Sequence, residues 1–205
     1  MTTALLQTTY FGPVQWYQKL KRYDHCVIEQ YDSYQKQTYR NRCVIATANG
    51  TQALTVPIDH GTGSTEHGTW LKDLRISDHN QWRRVHWNAL QSAYSESPFF
   101  EYYADDIRPF FEQKYTYLID FNEAIRQTVC SLLDIHPHVE YTSCYADHGP
   151  WDDFRDVINA KHPQADGDFE TKSYWQVFRH RHGFLPNLSI LDLLFCMGPE
   201  GVFYL

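Results

Sequence analysis

The 205 residues suffice for one domain with a sizeable core, and a formal net charge of −7 removes broad nucleic-acid binding, which needs many Lys and Arg contacts to phosphate. Hydrophobic residues make up 42% of the chain, yet no run approaches the ~20 apolar residues of a spanning helix. The five cysteines, Cys26, Cys43, Cys130, Cys144 and Cys196, are scattered without a CxxC pair, as expected of reduced thiols in a cytoplasmic protein.

The amino terminus carries no basic leader, which agrees with a cytoplasmic location. Residues 3–7 read as a short apolar strand. Pro13 suits the first turn of a helix carrying Val14, Trp16, Tyr17 and Leu20. Residues 25–30 read as a second strand, so the chain opens as a parallel βαβ unit. Residues 42–58 form a hairpin around Asn49-Gly50, a pair suited to the positive φ of a two-residue turn.

Residues 59–70 are rich in Gly, Ser and Thr and read as a mobile loop able to cover a site. A strand is expected at 71–76. A long helix capped by Ser77 or Asp78 follows to Ser95, burying Trp82, Val85, His86, Ala89, Leu90 and Ala93. Further helices are expected at 99–113 and, capped by Asp120, to Leu133. A strand at 139–145, a short helix at 151–158 and a last strand at 174–178 come next. Ser189 with Asp192 has capping-box spacing, with Asp in place of Glu, and Gly198-Pro199 stops the final apolar helix. The expected fold is a single α/β domain over residues 1–205. Its central, mostly parallel sheet of short strands carries the Asn-Gly hairpin and is flanked by helices.

If the first two strands are parallel, Gln7, Tyr10 and Gln30 follow them at one sheet edge, where open α/β sheets bind ligands. Lys36, Arg40, Asn41 and Arg42 come next in the chain, with Arg40 and Arg42 on one strand face. Arg presents a fork that matches phosphate or carboxylate, and the helix start at Pro13 would add its own preference for anions. A small anionic or activated-donor substrate is therefore the expected partner. Without that function the same run is a solvated edge that discourages aggregation. The pairs His136/His138 and His180/His182 lack a third ligand at a recognisable spacing, so neither a metal nor another cofactor is expected.

Four blocks, LLQTTYFGP, QTYRNRCVI followed by ANG and LTVPI, ISDHNQWRRVHWNALQSAYSESPFFEYY and GFLPNLSILDLLFCMGPEG, resemble the WbqC-like family of bacterial proteins. The residues that match its recurrent pattern include Gln7, Tyr10, Asn41, Arg42, Asn187, Ser189, Asp192 and Gly198. Thr8 stands where many relatives have Pro, and residues 146–180 lack the Gly-rich segment of longer relatives. The resemblance implies a place among surface-polysaccharide (O-antigen) genes and a transferase, with glycyl or aminoacyl transfer as its reaction. Tyr10, His79 and Asp192 are candidates for the missing general base. Asn187, Ser189 and Asp192 equally read as anchors of the last helix. The other reading is a non-catalytic ligand-binding or scaffold protein, whose aromatic-rich run 99–117 makes a homo-oligomer or partner interface.

Overall fold

Four parallel strands form the centre of the molecule in the order β7-β2-β1-β8: β1 (Thr3–Gln7), β2 (His25–Glu29), β7 (Val139–Tyr141) and β8 (Asp152–Asp153). They belong to a computed structural model that describes residues 1–59 and 69–205. The loop expected at 59–70 falls mostly on residues 60–68, outside the described residues. Ala4, Leu5 and Leu6 of β1 are wholly buried, as a parallel strand covered on both faces requires.

Helix α1 (Val14–Arg22) makes the crossover between β1 and β2. Trp16, Tyr17 and Leu20 face the core, but Gln15, Gln18 and Lys19 are buried too. The late segment around Asp166–Glu170 and the carboxyl terminus wrap the polar side of this helix. Gln18 Nε2 donates to the carbonyls of Glu170 and Tyr204, and Lys19 Nζ lies 2.9 Å from Asp166. At the other end of the chain, α7 (Ile190–Met197) is buried on all sides from Ile190 to Cys196. It stops at Gly198, whose φ of +57° and contact with the Phe99 ring leave no room for a Cβ.

The hairpin pairs β3 (Arg42–Thr47) with β4 (Gly50–Thr55) as a separate two-stranded sheet. Its loop is Ala48-Asn49, and the positive φ falls on Gly50 alone, the form of a turn closed by a glycine bulge. The expected strand at 71–76 is a 3₁₀ turn over Leu71–Asp73 followed by β6 (Arg75–Ile76), which pairs with β5 (Ile58–Asp59). Helix α2 begins at Trp82 (Trp82–Tyr94), because Asn80 and Gln81 are left-handed and the Asp78 carboxylate is drawn to Arg83 and Lys114 instead of capping. Its buried face is Trp82, His86, Leu90, Ala93 and Tyr94, with Val85 exposed.

Helices α3 (Phe100–Ile107) and α4 (Pro109–Glu112) divide the aromatic run, and α5 (Leu118–Leu132) starts two residues before Asp120. The helix expected at 151–158 is replaced by β8 and a turn. The strand expected at 174–178 is absent; a short helix α6 (Arg179–His182) follows that segment. Among the described residues, no helix is long and apolar enough to cross a membrane.

Candidate functional site

The carboxyl ends of β1, β2, β7 and β8 lie along one edge of the sheet, where such folds hold ligands. Gln7 and Glu29 are register partners there, each buried. The Glu29 carboxylate accepts from the backbone N–H of Tyr31 (2.6 Å) and the Thr142 hydroxyl (2.9 Å) at one oxygen. At the other it accepts from the backbone N–H of Ala146 (2.7 Å) and Nη1 of Arg155 (3.4 Å). With both oxygens engaged, Glu29 organises the edge and has no lone pair spare for a substrate. Arg155 also holds Asp153 through Nε and Nη2, and its guanidinium lies 5.0 Å from the Tyr145 ring centre. Burial alone would lower the Arg155 pKa, but its bonds to Asp153 leave it above the ordinary value.

Arg40 is the other buried cation of this edge, 1% exposed. Its Nη2 donates to Asp32, whereas Nε and Nη1 have no hydrogen-bond partner among the described residues. Burial lowers its pKa from the ordinary value, and Asp32 opposes that effect. A buried guanidinium with open N–H groups carries a large desolvation penalty, which an incoming oxyanion would remove. Asn122 Nδ2 donates to the Arg40 carbonyl at 2.8 Å and holds the backbone in place.

Asp32 joins Arg40 to a pocket of about 460 Å³ lined by Tyr31, Asp32, Ser33, Trp70 and Tyr145. The Lys72 ammonium sits 4.7 Å from the Tyr31 ring centre and 5.1 Å from that of Trp70. Backbone bonds from Leu71 to Asp32 and from Lys72 to Gln30 dock this turn onto the end of β2. The pocket therefore has aromatic walls backed by Lys72 and Arg155, and an Asp32–Arg40 pair behind it. A larger hollow of about 540 Å³ lies beside α1, lined in part by Lys19, Arg22 and Glu170. Its two cations are already matched, Lys19 with Asp166 and Arg22 with Glu170, so it offers an incoming anion less.

The residues proposed from sequence separate into those at this edge and those elsewhere. Gln7 Nε2 donates to the Ile158 carbonyl while its Oε1 is unpartnered among the described residues, and Gln30 Nε2 donates to the Thr142 carbonyl. Asn41 Nδ2 holds the Val56 carbonyl, with Tyr34 bonded to the same side chain. Of the three cations only Arg40 turns inward. It precedes β3 in a turn, so it does not alternate with Arg42, whose Nε donates to the Thr55 hydroxyl. Lys36 is exposed.

The Tyr10 hydroxyl is sealed in the core 2.9 Å from His86 Nδ1, with its pKa raised well above the ordinary value by burial. His79 is exposed in the turn before α2. The wholly buried Asp192 carboxylate accepts from Tyr94, Tyr174 and Gln176, and burial raises its pKa. These bonds leave no capping box: Ser189 caps α7 alone by accepting from the Leu191 N–H. Asn187 accepts from the Gln15 N–H, and the Leu188 carbonyl takes the Val14 N–H. The start of α1 is thereby filled by protein groups, so the expected anion position there is already occupied.

The aromatic run at 99–117 is mostly core. Phe100, Tyr103, Phe110 and Phe111 are buried across α3 and α4, and Tyr102 is left exposed. Sequence reasoning passed over Glu29, Asp32, Trp70, Lys72, Tyr145 and Arg155. An acid ending an apolar strand, and the charged run DDFRD at 152–156, were the available signals.

The model of the WbqC-like protein family matches residues 7–160, which run from Gln7, the last residue of β1, through β8 and include every residue named at the carboxyl edge. The "Uncharacterized protein Rv1507c" of Mycobacterium tuberculosis (strain ATCC 25618 / H37Rv) is 27% identical over 236 aligned positions, covering 98% of this chain and 96% of that protein. No solved structure matches the chain. The match covers well over half of the chain, so the chain belongs to the WbqC-like protein family.

Proposed function

We propose that this chain is a transferase that takes an anionic, activated donor at the carboxyl edge of its sheet. The setting is bacterial cell-surface polysaccharide (O-antigen) biosynthesis, as its sequence resemblance implies, with glycyl or aminoacyl transfer as the reaction. The observation that carries the reading is Arg40, buried with two open guanidinium nitrogens beside an aromatic-walled pocket. Arg40 would bind the donor's phosphate or carboxylate oxygens in a fork, and Lys72 would neutralise a second negative group. Tyr31, Trp70 and Tyr145 suit a planar base or the apolar face of a sugar ring. The open Gln7 Oε1 would accept from a donor hydroxyl or ammonium.

Fixed cations that meet charge developing on the leaving group would be the main catalytic contribution. Asp32, the carboxylate that lines the pocket, takes the base role in this reading. Tyr10 and Asp192 are enclosed in the core, and their hydrogen bonds serve the fold.

A thermal-shift screen against nucleotide sugars, nucleotides, aminoacyl donors and simple phosphates tests the proposal, with Lys72→Ala and Tyr145→Ala alongside. A ligand that binds the folded state alone raises Tm by mass action. One donor class should raise Tm in the wild type and not in either variant. The absence of any shift would overturn the donor site. Saturable binding with no turnover on glycan acceptors would favour the non-catalytic ligand-binding reading.

A further inference from the structure

At the opposite end of β2, the parallel register sets Cys26 beside Val139 and Val27 beside Glu140. His25 thus stands next to His138, and because alternate strand residues share a face, both lie on the same face as Glu140. Their rings are 4.6 Å apart between centres. His25 Nε2 lies 3.5 Å from one Glu140 oxygen and His138 Nε2 lies 3.7 Å from the other. One donor atom from each of the three residues falls within 4.8 Å of the others.

We propose that His25, His138 and Glu140 bind a divalent transition-metal ion, zinc as the first choice, which staples the edge strand β7 to β2. Donors at ordinary zinc bond lengths around a tetrahedral ion lie about 3.3 Å apart, so the observed spacings need only small side-chain rotations. Two imidazoles and one carboxylate form a donor set suited to zinc or ferrous iron and leave a position open to water. His25 Nε2 is buried and has no hydrogen-bond partner among the described residues, so a metal would satisfy an atom that the protein leaves open. His138 and Glu140 are exposed, which gives an ion a route in.

The site stands about 13 Å along β2 from Glu29, at four strand steps, and is independent of the carboxyl-edge crevice. The sequence pairs His138 with His136, a pair set aside there for want of a third ligand, and the His136 ring turns to Asp134 at 3.1 Å. The ligands that meet come from strands joined only through tertiary structure. The sequence expectation that no metal is bound is thereby reopened.

Zinc titration of the chelator-stripped full chain by calorimetry, with cobalt absorption as a geometric readout, tests the site. One ion per chain and intense tetrahedral cobalt bands are expected. His138→Ala and Glu140→Gln, both at exposed positions, should weaken binding at least about tenfold while circular dichroism is unchanged. His136→Ala and His180→Ala should bind as the wild type does. No saturable zinc binding, or equal affinity in the wild type and His138→Ala, overturns the proposal. So does a loss confined to His136→Ala or His180→Ala.

Discussion

The Glu29 carboxylate meets the Arg155 guanidinium at 3.4 Å across 126 residues of sequence. This contact ties the last strand of the sheet to the second at the edge where the pocket opens. The contact itself is long, and most of the hold on Glu29 comes from Tyr31, Thr142 and Ala146. Glu29→Gln should therefore cost more than Arg155→Ala, about 3 against about 1 kcal/mol, since the amide sets a donor against donors already in place. Urea denaturation of both variants checks the order, and equal losses would mean that the ion pair dominates.

Arg40 and Arg42 are two residues apart but should behave differently. Arg40→Ala strands Asp32 and should lower stability by about 3 kcal/mol. Arg40→Lys should recover part of that loss yet not restore any ligand-induced shift, because an ammonium lacks the fork. Arg42→Ala should leave both properties near wild type. Denaturant midpoints, together with thermal shifts against the donor found in the screen, separate the three.

His86 predicts an acid-sensitive fold. Burial holds its pKa at about 4, below the ordinary 6.5, so the folded protein keeps the ring neutral while the unfolded chain takes up a proton first. Its contribution is fully present above pH 6.5 and is lost as pH falls toward 4. At ~1.36 kcal/mol per unit the loss totals about 3 kcal/mol. His86→Gln, which can still meet the Tyr10 hydroxyl, should flatten this limb when stability is measured from about pH 7 to about pH 4.5. An unchanged slope would assign the acid limb to carboxylates.

The thiols should separate sharply by reactivity. Cys144 is exposed, while burial raises Cys26 and Cys43 to about 12 and Cys130 to about 11, and raises Cys196 as well. A thiol reagent should modify one cysteine in the folded protein and all five after unfolding. Cys144→Ser should abolish the fast reaction. A second fast thiol would mean that one of the buried sites opens readily.

The opening βαβ unit, the hairpin strands and the last helix were legible because each declares itself locally, through an apolar run, a glycine or a capping serine. Arg40 was visible as part of a cation run, but its burial was not, since only Asp32, Asn122 and the packing around them turn it inward. Arg155 was missed because β8 pairs through Asp152 and Asp153, residues with no strand signature, and owes its place to the neighbouring β1. The Asp192 network shows the opposite error: capping-box spacing is real, but Tyr94 and Tyr174 compete for the carboxylate through tertiary contacts that spacing cannot reveal.

Strand β8 enters the sheet last in chain order and brings Arg155 to Glu29, which the first quarter of the sequence supplies. Until it docks, Glu29 and Tyr145 lack their cation and the pocket has one unsupported wall. For the proposed donor site, binding competence would thus be a nonlocal property, acquired when β8 completes the sheet. A ligand held in this crevice would therefore report on the completed sheet and not on the helices or the hairpin alone.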